Sequence, residues 1–149
     1  MRPGTRADRA FVADLGGRTV GDSVAAFRTD PRAEPELSYT RLLEFVFDRS
    51  HVLLIAHDGG KPVGFALMLD TMTDEVTLVP QGFVAYMAVE PSRRRSGIAT
   101  ALLRGVEDEA RSRGLPYMAL MVTEGNMSAR ALYDGAGYVT ERRLLCKTL

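Results

Sequence analysis

The stretch Gly82–Pro91, "GFVAYMAVEP", constrains this chain more than any other. It is a continuous apolar run without helical period, closed by a proline. Such a run predicts a strand, over 83–89, buried on both faces. A strand of that kind lies in a sheet covered by helices, so the fold class is layered α/β. The next segment is equally specific. Three arginines, a serine and a glycine lead into "GIATALLRGVEDEARSRGLP", where Ile98, Leu102, Val106 and Ala110 recur at i, i+4 beside Leu103. Gly114 and Pro116 supply helix stop signals.

The remaining segments fit around this unit. "TRADRAFVADLGG" predicts a helix with Thr5 as N-cap and Phe11, Val12 and Leu15 at helical spacing. "RTDPRAEPEL" (28–37) reads as a loop, and "ELSYTRLLEFVFDRS" as a second helix with Leu42, Phe45 and Val46 on one face beside Leu43 and Phe47. Residues 51–70 read as strand, Asp-Gly-Gly turn and strand, a hairpin. "LPYMALMVT" predicts another buried strand. "NMSARALYDGAGY" predicts a short helix with Asn126 as N-cap and Gly137 just past its end. "YVTERRLLCKTL" predicts a closing strand with Cys146 in the core, and "MRPG" the stub of a first one. The expectation is one domain over 1–149, a mixed sheet of about six to seven strands flanked by helices.

With 149 residues, one domain can bury a core. Lysines plus arginines equal aspartates plus glutamates, 19 each, which disfavours a dedicated nucleic-acid binder. No apolar stretch reaches the length of a membrane span. The N-terminal residues carry no apolar signal core and Cys146 is the only cysteine, so the expectation is a reducing cytoplasm. Two histidines and one cysteine make no usual metal site, and none is expected.

A strand, an arginine-rich turn and a helix mouth suit phosphate. The first N–H groups of a helix lack internal partners and carry partial positive charge. Gly97 lets a ligand approach the backbone, and Arg94 and Arg95 can add charge-assisted hydrogen bonds. Neither a P-loop nor a dinucleotide-type glycine pattern is present. The six residues Arg94-Arg95-Ser96-Gly97-Ile98-Ala99 resemble the acetyl-CoA loop of the GCN5-related N-acetyltransferase (GNAT) superfamily, with the preceding "MAVEP" in keeping. Downstream, Asn126, Ala129, Leu132, Tyr133, Gly137 and Tyr138 fall in register with a second motif of that family.

The resemblance implies a GNAT-like sheet splayed between its fourth and fifth strands. It implies acetyl-CoA as co-substrate, its pyrophosphate held by the amides of Arg94, Arg95, Ser96, Gly97, Ile98 and Ala99, with Thr100 in the first helical turn. Met87, Ala88 and Val89 would run beside the pantetheine arm, and Asn126 would hold it. Tyr133 would stand near the thioester sulfur; tyrosine titrates near ~10, so it stays protonated at neutral pH and can act as general acid.

The implied activity is acetyl transfer to a primary amine of a small molecule or peptide. A non-catalytic acyl-CoA-binding or regulatory domain is the alternative. Homodimers are frequent in the family, and one is compatible with this reading. The chain departs from the family in two places. The 83–89 strand lacks the glutamate many members carry, and Met121 stands where bacterial protein N-terminal acetyltransferases of the family often have one. Glu124 is the nearest carboxylate to Asn126 and the candidate base, ahead of Asp74, Glu75 and Tyr86. Asp70, Asp74 and Glu75 are expected to give the acceptor pocket an acidic rim.

Overall fold

A computed structural model describes residues 1–149. The sheet runs in the order β1 (Arg2–Pro3), β2 (His51–Asp58), β3 (Lys61–Thr73), β4 (Pro80–Val89), β5 (Met118–Leu120). Each adjacent pair among the first four strands is antiparallel, and β5 lies parallel to β4. Strand alternation sorts the core into two layers. Val52, Leu54, Ala66 and Met68 face one side with Leu102, Leu103, Val106 and Ala110 of α3 (Ile98–Ser112). Leu53, Ile55, Phe65 and Leu67 face the other, with Val12 and Leu15 of α1 (Arg9–Thr19) and Tyr39, Leu43 and Val46 of α2 (Pro35–Phe47). Both faces are covered, which is why the strands read as unbroken apolar runs.

Local chemistry sets the helix ends. Thr5 opens a single 3-10 turn, Arg6–Asp8, before α1 proper. The Asp8 carboxylate accepts from the Thr5 N–H at 2.7 Å and from both terminal nitrogens of Arg2. Pro35 belongs to α2 rather than to the loop: its fixed φ and missing N–H suit the first helical position. The buried face of α2 is Tyr39, Leu43 and Val46, so Phe45 points outward. α1 and α2 approach closely where Gly16 meets the Tyr39 ring.

The C-terminal part departs from expectation. The sheet has five strands, not six or seven. β5 keeps only Met118–Leu120, because its partner β4 bends away and leaves Met121 and Val122 unpaired and exposed. Residues 139–149 form no strand. Arg142 draws this segment to the turn between β3 and β4 through ion pairs with Asp74 at 2.6 Å and Glu75 at 3.5 Å. Leu144 and Leu145 stay 84% and 86% exposed, and Cys146 is exposed rather than core. No helix is long and apolar enough to cross a membrane.

Candidate active site

The sheet opens past Val84. β4 meets β5 only where Gly82, Phe83 and Val84 pair with Met118, Ala119 and Leu120, yet it stays beside β3 to Val89. A bulge marks the parting: Met68 opposes Val84 and Leu67 opposes Tyr86, so Ala85 is the extra residue. Packing shows its effect. Val84, Met87 and Val89 adjoin the α3-side core, while Phe83, Ala85, Tyr86 and Ala88 adjoin the α1/α2 side. The Glu90 N–H donates to the Val63 carbonyl at 2.8 Å. Two-residue alternation back from that bond turns the N–H and C=O groups of Met87 and Val89 into the gap.

At the top of β4, a 3-10 turn (Pro91–Arg93) leads to the arginine loop. Arg95 sits at φ 61° and Gly97 at φ 82°. A left-handed conformation costs a residue with a side chain about 1–2 kcal/mol, and such strain concentrates at ligand-binding turns. Gly97 caps α3 without a side-chain acceptor, and the first helical bond is from Ala101 N–H to its carbonyl at 3.0 Å. The N–H groups of residues 95–100 therefore have no backbone acceptor. Ser96 spends its hydroxyl on the Arg93 carbonyl, tightening the loop. Arg93 pairs with Asp58 at 2.9 Å and Arg94 with Asp22 at 3.1 Å, leaving Arg95 without a carboxylate partner.

α4 (Met127–Gly135) packs on the same face as α3. Asn126 caps it, its side-chain oxygen accepting from Ala129 N–H at 3.3 Å. Tyr133 is half-buried against the α3-side core, with Met87, Ile98, Ala99 and Leu120 among its fellow contributors, and meets Tyr138 edge to face at 5.9 Å. Burial pushes the Tyr133 hydroxyl above the ordinary tyrosine value. The neighbouring Tyr138 instead donates to Glu107 at 3.1 Å. The loop residues and the α4 motif, separate in sequence, thus converge on one side of the gap.

The carboxylates fall differently. Glu124 is 93% exposed and pairs with Arg130 at 3.3 Å. Asp70 and Asp74 are not a free acidic rim: their side chains are buried, Asp70 against Arg113 and Ser50, Asp74 against Arg142 and Thr77. Thr77 and Arg142 hold Asp74 well below the usual carboxylate range.

On the α1/α2 side stands a group that sequence reasoning mostly missed. Tyr86 packs on Tyr39 at 4.7 Å, and its hydroxyl lies 3.2 Å from that of Thr19. The 3-10 turn Val20–Ser23 continues from there, and the Ser23 carbonyl accepts from the Thr123 hydroxyl beyond β5. These contacts join residues 67 and 100 positions apart, so no local pattern announces them.

A central sheet parted between β4 and a parallel β5, with a capless helix mouth above the gap, is the fold of the GCN5-related N-acetyltransferases. The chain belongs to the Acetyltransferase (GNAT) family, whose sequence profile matches residues 22–138. It is 35% identical over 79 residues to the [Ribosomal protein bS18]-alanine N-acetyltransferase of Escherichia coli, a stretch that is 53% of this chain and 49% of that enzyme. The chain thus spans about half the length of this curated relative. A solved chain from Pyrococcus furiosus that carries an acetyl transferase name superposes with a TM-score of 0.82 at 22% identity, covering 99% of this chain and 97% of that one. An aminoglycoside N-acetyltransferase solved in complex with CoA superposes with a TM-score of 0.70 at 18% identity, covering 99% and 97%.

Proposed function

We propose that this chain is an acetyl-CoA-dependent N-acetyltransferase that moves an acetyl group directly to a primary amine of a small molecule or peptide. One observation carries the reading. The β4 backbone left without a β5 partner past Val84 is followed in the chain by the acceptor-free N–H groups of residues 95–100, and Tyr133 packs against the same core face as Met87, Ile98 and Ala99.

The residues fit the co-substrate in chemistry and order. Amides 95–100, with Arg95, suit a pyrophosphate, since oriented N–H groups and a cation favour an anion. The free backbone of Met87 and Val89 suits an amide-bearing arm that would add to β4 as a strand does. Acetyl-CoA supplies the activated thioester. A β4 N–H in the gap would stand where negative charge develops on the carbonyl oxygen, the preorganised donor such a reaction needs. The amine would shed one proton to water before it attacks and a second as the C–N bond forms. Tyr133 would give its proton to the sulfur as the C–S bond breaks and regain one from water, and its burial favours the protonated hydroxyl. The amine would enter from the α1/α2 side, where Tyr86 and Thr19 present hydroxyls. One relative is named for a ribosomal-protein alanine and a structural neighbour for aminoglycosides, so both kinds of amine belong in the test.

The test is CoA release from acetyl-CoA across aminoglycosides, polyamines, amino acids and peptides, with a blank for Cys146. Tyr133→Phe should slow turnover by about 10²–10⁴-fold while leaving acetyl-CoA binding nearly intact. Wild-type turnover in that variant removes Tyr133 from the mechanism. CoA binding with no amine accelerating release makes the chain a CoA-binding module instead.

A further inference from the structure

On the acetyl-CoA reading Arg94 would serve the pyrophosphate beside Arg95, yet its guanidinium is engaged elsewhere: it donates to the Asp22 carboxylate at 3.1 Å. Asp22 lies 72 residues away, in the short turn Val20–Ser23. That turn bridges the mouth of the gap. At one end Thr19 meets the Tyr86 hydroxyl on β4, and at the other Ser23 accepts from Thr123 beyond β5. Asp22 therefore sits on a strap over the opening between β4 and β5, with its side chain 60% exposed and that of Arg94 48% exposed. Asp22 and Arg94 both lie close enough to Tyr86 for their opposite charges to act on its hydroxyl. The other nearby acids are committed: Glu90 pairs with Arg18 at 2.8 Å, and Asp14 with the same arginine at 2.9 Å.

We propose that the Asp22–Arg94 ion pair is a clasp between the two substrate sites, which the pyrophosphate of the acyl donor opens, and that the released Asp22 carboxylate receives a cationic amine acceptor. The inference rests on the acetyl-CoA reading. A pyrophosphate carries more negative charge than one carboxylate and can take a guanidinium through two oxygens, whereas Asp22 holds Arg94 through one, so it outcompetes Asp22 for Arg94. Asp22 then stands without a cation beside Tyr86 and Thr19, on the side from which the amine enters. Donor binding thus creates the anionic half of the acceptor site. By linkage, each ligand strengthens the other equally.

The clasp makes an unusual prediction: removing a charge that touches no donor atom should tighten donor binding. By calorimetry on the full chain, Asp22→Asn should bind CoA about two- to fivefold more tightly than wild type, the range of an exposed ion pair. In an Arg94→Ala background the same substitution should leave CoA affinity unmoved. Spermidine, a polycationic primary amine, should bind the CoA-saturated wild type at least about threefold more tightly than the CoA-free protein, and Asp22→Asn should abolish that difference. CoA affinity that is unchanged or weaker in Asp22→Asn overturns the clasp. Equal spermidine affinity with and without CoA overturns the acceptor role. A wild-type chain that binds no CoA instead overturns the acetyl-CoA reading itself.

Discussion

Gly97→Ala separates two properties that coincide at the mouth of α3: backbone strain and access for a ligand. Gly97 has φ 82°, and a Cβ built there meets no atom within 4 Å. The methyl would therefore not clash inside the chain. It would stand in the open space beside the free N–H groups. Two terms set the stability change. A left-handed alanine costs about 1–2 kcal/mol, and the loss of glycine's freedom in the unfolded chain returns about 0.4–1 kcal/mol. The net is about 1 kcal/mol, or about 2–4 °C in Tm for a domain this size. Gly114 is the internal control. It lies just past α3 at φ 70°, also with nothing within 4 Å of a Cβ, and the 15-residue helix sets it about 22 Å away. Gly97→Ala and Gly114→Ala should thus melt alike. Their CoA affinities should not match. Displacing a phosphate from one charge-assisted hydrogen bond costs about 1.5–3 kcal/mol, so Gly97→Ala should weaken CoA about 10- to 150-fold, with Gly114→Ala near wild type. Calorimetry with CoA and a thermal melt of each variant give both numbers. Equal CoA affinity in the two variants would refute the phosphate-loop argument.

Packing and charge elsewhere in the chain give three more expected outcomes. Gly16→Ala would drive a Cβ into the Tyr39 ring, so α1 and α2 must separate; overpacking of this kind costs about 1–3 kcal/mol, read as a lowered denaturant midpoint. Burial raises the pKa of Tyr133, so its proton is retained to higher pH; if it is the general acid, the alkaline limb of kcat should lie above the ~10 of free tyrosine, and a limb near neutrality that vanishes in Tyr133→Phe would contradict this. Thr77 and Arg142 depress the pKa of Asp74, so its share of stability is present above the unfolded value of ~3.9 and is lost as pH falls below it; Asp74→Asn should lower the melting temperature at pH 7 more than at pH 2.

The sequence was most informative where one strand or helix decides the outcome. The β4 run, the α3 stripe and the helix ends at Asn126 and Gly137 depend on neighbours within a turn or two, and local physics fixes them. The open gap became legible only through the family resemblance, because a bulge at Ala85 leaves no mark in an apolar run. The final strand failed for a different reason. Its apolar residues suit a strand, but Arg142 finds Asp74, 68 residues earlier, and holds the segment off β5. The acidic rim failed likewise, since whether Asp70 and Asp74 are free depends on arginines 43 and 68 positions away. Asp22 has no distinguishing neighbours in sequence at all.

The bulge at Ala85 also bears on how this chain avoids its own kind. A strand with unpaired amides invites pairing by any other extended chain, and proteins commonly blunt such edges with charge, brevity or cover. Here the free backbone of β4 is not an outer edge. It lies in a recess, with β5 closing one end and the Thr19–Ser23 strap tied across the other. A second polypeptide would have to thread its side chains through that slot. A slender arm with few branches would not. The same cover that would frame a ligand therefore leaves the free backbone of β4 away from the outer edge of the sheet, where edge-to-edge pairing begins.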